Sequence, residues 1–272
     1  MAVELEIREG DPWWLSPDVW VVPGSDPEGS PGQPIAGTSA YLWAKVRNRG
    51  SSIANNAEVR FYWADPSAGF NRETANLVGV SFVSLDPGDV GEVLCLQPWI
   101  PEFVNDGHEC ILAETFHNPN DPLPPNLEFN VPTDRHVAQR NLDILQADLT
   151  GFFRFNFNLF NTFRTEQRFT ISLQYGKERD LEPMLPTLGE DFRIPDLTGE
   201  LAAVAFVNDK CAGPESLGKK KKKKLHVTIA GHRKTNHTLV GRIGGGATLL
   251  HIVQHGEIRD VGGLSVLVLP TS

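Results

Sequence analysis

The chain has 272 residues, 40% of them hydrophobic and 22% charged, which is enough for one large domain or two ordinary ones that each bury a core. A formal net charge of −9 argues against general nucleic-acid affinity, and three cysteines without a CxxC exclude a disulfide framework or a cysteine-rich zinc site. The first residues, MAVELEIREG, lack a basic segment followed by an apolar one, and no later stretch approaches the roughly 18 apolar residues of a membrane span, so neither a Sec leader nor a membrane span is expected. The expected location is the cytoplasm, or outside the cell by a route without a cleaved Sec signal.

In chain order, Asp18 to Val22 is the first predicted strand, with Trp13, Trp14 and Trp20 around it and a Pro- and Gly-rich connection, Pro23 to Pro34, behind it. Residues 41–67, YLWAKVRNRGSSIANNAEVRFYWADPS, hold two runs that alternate with period two, as half-buried strands do. Ala40, Leu42, Ala44 and Val46 share one face of the first, opposite Tyr41, Trp43, Lys45, Arg47 and Arg49. Ala57, Val59, Phe61 and Trp63 share one face of the second, opposite Glu58, Arg60, Tyr62 and Ala64. Gly50 to Asn56 supplies the turn. Arginine and aromatic side chains together are what interfaces enrich, so Tyr41, Trp43, Lys45, Arg47, Arg60 and Tyr62 are expected to form one outward interaction face.

Further strands are predicted at Leu77 to Leu85, ended by the turn Asp86-Pro87-Gly88, and at Gly91 to Leu96, Glu109 to Phe116 and His136 to Leu145. About seven strands in roughly 130 residues match an immunoglobulin-like antiparallel sandwich over 1–145, whose last strand runs nearly straight into a second domain, 146–272. Cys95 and Cys110 fall in neighbouring predicted strands and could meet; in a reducing compartment, buried free thiols are the expected state.

The strand end Val46-Arg47-Asn48-Arg49-Gly50, the turn with Ala54 and the strand Ala57-Glu58-Val59-Arg60-Phe61-Tyr62-Trp63 resemble CARDB-type domains, bacterial immunoglobulin-like modules related to cell-adhesion domains. Leu85-Asp86-Pro87-Gly88, Gln97-Pro98-Trp99-Ile100-Pro101 and His108-Glu109-Cys110-Ile111-Leu112 are similar to that family as well, so the resemblance covers about residues 15–145. It implies scaffolding, adhesion or interaction, and it brings no catalytic residues.

In the second half Phe153, Phe155, Phe157 and Leu159 alternate with Arg154, Asn156 and Asn158, and Phe169, Ile171 and Leu173 continue after a polar break. Strands recur at Leu201 to Val207, Leu225 to Ala230, Thr238 to Ile243, Thr248 to His255 and Gly263 to Leu269, predicting a second β-sandwich. Lys219, Lys220, Lys221, Lys222, Lys223 and Lys224 form a basic loop between two of these strands. Residues 1–145 hold 21 Asp and Glu against 8 Lys and Arg, net −13, and the remainder is net +4, a balance that turns on those six lysines. Docking of the basic loop on the acidic domain of another copy is therefore one reading, beside a solvated tip.

Constellations for chemistry are few. His251 and His255 lie on one face of a strand but about 13 Å apart by strand rise, too far to share an ion unless His226, His232 or His237 joins them. The loop His117-Asn118-Pro119-Asn120-Asp121-Pro122 offers oxygens of the kind calcium prefers, yet reads as a Pro- and Asn-built turn. There is no G-x-S-x-G, adjacent Glu190-Asp191 point to opposite sides of an extended chain, and Gly241 to Gly246 reads as a hairpin turn or bulge. The expected function is a non-catalytic structural or protein-interaction module with no cofactor and no metal, whose partner is protein, including copies of itself. The alternative is a carbohydrate-binding module that stacks sugars on Tyr41, Trp43, Trp99, Trp13 or Trp14. A hydrolase with dispersed carboxylates ranks third.

Overall fold

The computed structural model describes residues 2–65, 69–102, 110–126, 128–218 and 221–271. Nearly all regular structure is β, and the one α-helix among the described residues is the four-residue α1 (Glu178–Leu181). The chain divides into two compact units, the first made of 1–64, 71–140 and 180–192, the second of 65–70, 141–179 and 193–272.

The first unit contains β1 (Leu5–Glu6), β2 (Val19–Pro23), β3 (Ala40–Asn48), β4 (Ala54–Ala64), β5 (Asn76–Leu85), β6 (Val90–Leu94), β7 (Cys110–Phe116) and β8 (Val137–Arg140). In one sheet β1 and β2 share one edge of β3 and β6 takes the other; the second sheet has the order β5-β4-β7-β8, all antiparallel. The period-two pattern acts as expected: Leu42, Ala44 and Val46 of β3 and Ala57, Val59 and Phe61 of β4 are buried in one core. β3 and β4 join different sheets, however, so their outer faces look in opposite directions. Tyr41, Trp43, Lys45 and Arg47 therefore cannot share a surface with Arg60 and Tyr62. Glu109, at the head of the predicted strand Glu109 to Phe116, and His108 lie outside the described residues.

The second unit contains β9 (Leu142–Gln146), β10 (Phe152–Phe160), β11 (Gln167–Tyr175), β12 (Glu200–Val207), β13 (Lys224–Ile229), β14 (Lys234–Gly244), β15 (Thr248–His255) and β16 (Asp260–Leu269). One sheet has the order β10-β14-β12 and the other β13-β11-β15-β16-β9. Phe155, Phe157, Leu159, Ile171, Leu250, Ile252 and Val266 fill the space between them. The predicted single strand His136 to Leu145 is two strands, broken at Asn141: β8 pairs with β7, while β9 runs parallel to β16. The Asn141 amide donates to the Gly263 carbonyl at 2.9 Å, which fixes the switch. The glycines after β14 form a turn between sheets, with Gly245 at φ +87, and not a hairpin.

Each unit ties its first long strand to the next with the same device. Asn48 closes β3: its amide donates to the carbonyls of Ser52 (2.8 Å) and Leu85 (3.0 Å), and its Oδ1 accepts from the Gly50 amide at 3.1 Å. Gly50 is required because a Cβ would sit 2.2 Å from the Ala2 carbonyl oxygen. This accounts physically for the Asn-x-Gly signature. Asn161 closes β10 alike, donating to Thr165 (2.8 Å) and Ile229 (2.9 Å) and accepting from Phe163 N at 3.0 Å. Since Asn161 is 0% exposed, Asn161→Ala strands several backbone groups away from water. A loss of about 2–3 kcal/mol is expected, read as a lower denaturant midpoint at unchanged slope; a shift below about 0.5 kcal/mol would show that water replaces the amide.

Candidate functional site

The outer face of the β2–β3 sheet carries four of the six predicted interface residues. Trp43 stacks on Trp20 with ring centroids 5.9 Å apart and planes 10° from parallel, because the two residues are register partners on adjacent antiparallel strands. The Trp43 indole N–H donates to the Pro27 carbonyl at 3.0 Å, so the Pro- and Gly-rich connection folds back over the rings. Lys45 sits 6.0 Å from the Trp20 ring and pairs with Glu92 at 3.0 Å. Arg47 and Arg8 both pair with Asp18, which is buried.

A cleft of about 490 Å³ remains beside the stack, bordered by Trp20, Trp43, Lys45, Glu28, Pro31 and Pro186. The turn carrying Pro186 is anchored by Arg140, which donates to Thr187 Oγ1 at 3.0 Å and to the Thr187 carbonyl at 3.1 Å. Burial pushes the Arg140 pKa down to about 10.

The opposite face, on the β5-β4-β7-β8 sheet, is half covered. Glu114 is 0% exposed and accepts from the Tyr62 hydroxyl at 2.6 Å and from Arg72 Nε at 2.7 Å. Burial first, and then the Glu114 carboxylate, push the Tyr62 phenol well above its ordinary range. Phe129 meets Tyr62 edge to face at 5.1 Å, and Arg72 lies 5.1 Å over Phe129. Tyr62 is thus buried by its own chain and is withdrawn from the expected contact face. Arg60, half-buried, pairs with Glu58 at 2.6 Å and lies 4.7 Å over Phe116.

The β5 side of this sheet is open. Leu77, Val80 and Phe82 are 55%, 37% and 57% exposed on the strand NLVGVSFVSL, which has no charged residue, no proline and no pairing strand on its outer edge among the described residues. The same run reads as an ordinary strand in the sequence; only its place at a sheet edge makes it a surface.

The other predicted contacts divide. Trp99 is only 4% exposed: its amide and carbonyl both bond Ala40 (2.8 and 2.7 Å), which turns the indole into the core, so it is no glycan platform. Trp14 is likewise buried, with Trp13 half-buried and edge-on against it at 5.3 Å. In the basic loop Lys219 and Lys220 lie outside the described residues. Lys221 and Lys222 are exposed, Lys223 lies 4.3 Å over the Tyr175 ring and Lys224 opens β13. The backbone here is held by Lys222 N to Val204 O and Leu173 N to Lys223 O, both 2.9 Å. Cys95 and Cys110 are buried free thiols, and Cys211 is an exposed one.

The loop His117–Pro122 is a turn closed by reciprocal bonds between His117 and Asp121, and Asp121 points inward. Its carboxylate accepts from Leu5 N at 2.6 Å, pairs with Arg135 and lies 3.2 Å from His136 Nε2; His136 Nδ1 meets Asp134 at 2.7 Å. Burial lowers the His136 pKa, but the hydrogen bond and charges of Asp134 and Asp121 outweigh it and hold the imidazole above its ordinary value. A raised folded-state pKa means that this contribution is full below the unfolded histidine's pKa of about 6.5 and is lost as pH rises through the raised value. Urea midpoints should therefore fall on the alkaline side of that window, and His136→Gln should flatten the fall. An identical pH slope in the variant would assign the loss to other groups.

In the second unit the sheet order brings together three residues that the sequence leaves apart. Ser172 Oγ lies 2.6 Å from His255 Nε2, and His255 Nδ1 lies 2.5 Å from Asp260 Oδ1. His251, four residues before, meets Ser265 at 2.7 Å instead. His226 and His255 do come to one side of the sheet, each the register partner of Thr170. Among the described residues no three His, Cys, Asp or Glu side chains are grouped to hold a metal ion.

The sequence matches no family model and no curated protein. Similar solved structures include a CARDB domain from Pyrococcus furiosus in complex with di-metal ions, 18% identical over 51% of this chain and 85% of that one, with a TM-score of 0.28. The transglutaminase of red sea bream is 10% identical over 94% of this chain and 31% of its own, at 0.26. An adhesin from Mobiluncus mulieris with intramolecular disulfide, isopeptide and ester cross-links is 7% identical over 94% of this chain and 99% of its own, at 0.25.

Proposed function

We propose that the chain is an interaction module of the scaffold or adhesion type, its first unit CARDB-like, and that copies associate through the β5 edge. The observation that carries this reading is the stripe Leu77, Val80 and Phe82 on an uncharged ten-residue edge strand. Edge strands are ordinarily blunted by lysine, proline or bulges against pairing, and exposed apolar stripes mark interfaces; β5 has no lysine or proline, and the register shift against β4 at Phe61/Tyr62 leaves Gly79 to Val83 as an unbroken run. A two-fold pairing of β5 with β5 of a second copy satisfies the free backbone edge and buries the same side chains on both copies. The Glu58–Arg60 pair on the next strand supplies the charged rim.

Light scattering across a concentration series tests the proposal: the wild type should dimerise and Phe82→Lys should remain monomeric. Because residues 1–145 carry net −13, dimerisation through β5 should strengthen as salt screens the repulsion. Weakening with salt would instead support docking of the basic loop on an acidic surface, and a monomer under every condition would remove both.

A second reading rests on the parallel Trp20–Trp43 stack beside its polar-rimmed cleft, a shape suited to a sugar ring. It predicts a change in tryptophan fluorescence on a glycan panel, abolished in Trp43→Ala, and is abandoned if no glycan produces one.

A further inference from the structure

We propose that Ser172, His255 and Asp260 form an acyl-transfer site in the second unit that cleaves carboxylic esters, an activity separate from association through the first. The three residues sit on three neighbouring strands, β11, β15 and β16, so the sheet itself sets their spacing. Asp260 is the register partner of His255, with a register shift at Gln254/His255. Ser172 and Thr170 both project to the side of β11 away from the core residues Phe169, Ile171 and Leu173.

The hydrogen bonds fix the roles. An ionised Asp260 can only accept, so the proton of a neutral His255 resides on Nδ1 and points at the carboxylate. Nε2 is then left as the acceptor for the Ser172 hydroxyl at 2.6 Å. This is the connectivity of a nucleophile, a base and a group that orients the base. Gln174 Nε2 donates to Ser172 Oγ at 3.3 Å and helps to hold the hydroxyl beside His255, and Lys224 is the register partner of Ser172 on β13. An open cleft of about 740 Å³ reaches His255 along the same side of the sheet, bordered by Arg168, Thr170, His226 and Thr228.

In the reaction Ser172 Oγ attacks the ester carbonyl carbon while its proton passes to His255 Nε2. The tetrahedral adduct expels the alcohol, which takes that proton, and leaves an acyl-serine. Water then attacks, giving its proton to His255; collapse releases the carboxylic acid, and the proton returns to Ser172. The net change is ester plus water to acid plus alcohol. A fluorophosphonate follows the first half only, forming a serine–phosphorus bond and releasing fluoride.

The full chain should therefore be labelled stoichiometrically by a fluorophosphonate probe, with the mass increment on the peptide containing Ser172, and should hydrolyse p-nitrophenyl acetate. Ser172→Ala should abolish both, and His255→Gln should lower the rate by about 100-fold or more. Asp260 acts through His255 as a positioning residue. Asp260→Asn should lower kcat with KM nearly unchanged, and Asp260→Glu should recover part of the rate, as expected of a group that orients the base. The other titratable or charged groups bordering the cleft, Glu166, Arg168, His226 and Glu257, stay in place in both variants. Ser172→Cys gives an independent reading: its new thiol should be alkylated by iodoacetamide faster than exposed Cys211, and the excess should vanish when His255→Gln is added. Unlabelled wild type, labelling that survives Ser172→Ala, or a thiol introduced by Ser172→Cys that reacts no faster than Cys211 would each overturn the assignment, and none of these results bears on dimerisation.

Discussion

Arg72→Ala is expected to lower the stability of the first unit by about 3–5 kcal/mol, the cost of leaving a buried charge without its partner. Glu114 is fully buried under the side chain of Arg72, which lies 2.7 Å away and is itself only 12% exposed. Arg60 keeps only a longer ion pair with Glu114 at 3.7 Å from a side chain that is one-third exposed and already paired with Glu58, and the Tyr62 hydroxyl supplies a hydrogen bond but no charge. Arg72 also donates to the Asn126 carbonyl at 2.8 Å, so its loss loosens the segment that covers Tyr62. All six tryptophans lie between residues 13 and 99, inside the first unit, so indole fluorescence during urea unfolding reports that unit selectively. Replacing both members, Arg72→Met with Glu114→Leu, should recover much of the loss, because the uncompensated charge is what costs. A single-variant loss below about 1 kcal/mol would mean that water or Arg60 neutralises Glu114.

Phe157→Ala should damage the second unit on a similar scale, about 3–5 kcal/mol. Phe157 is 0% exposed, stacks on Phe155 at 6.0 Å and meets Phe206 edge-on at 6.1 Å, so truncation opens a cavity bordered by aromatic rings. Amide exchange along β10 and β14 measures it, since those paired strands form the longest ladder of their sheet. Exchange unchanged in these strands would show that the core re-closes around alanine.

Most strands are legible in the sequence because their burial alternates: β3 reads buried and half-buried in strict succession, as the spacing of Ala40, Leu42, Ala44 and Val46 requires. Periodicity says which residues share a face of one strand, but it does not say which sheet the strand joins. That is why Trp43 and Tyr62, close in sequence and alike in character, lie on opposite sides of the sandwich. Nor does it show what covers a face. Tyr62 is buried by Arg72 and Phe129, and Trp43 is capped by Pro27, all supplied by connections whose path no local pattern encodes. Trp99 looks like a loop aromatic between two prolines, and only its bridge to Ala40 turns it inward. Ser172, His255 and Asp260 escape for the same reason, since their proximity follows from the order β11-β15-β16 and from no spacing along the chain. Asn48 and Asn161 were within reach: each ends an apolar alternation just before a polar turn, the place where a side-chain amide can replace missing backbone partners.

Association through β5 is tested most directly by hydrogen exchange of the amides of residues 76–85 as a function of protein concentration. Pairing with a second copy predicts that the outward-facing amides of this strand gain protection as concentration rises and lose it in Phe82→Lys, while β7, interior to the same sheet, is unaffected. Exchange along β5 that is independent of concentration, in a wild type that dimerises, would place the interface elsewhere and contradict the account.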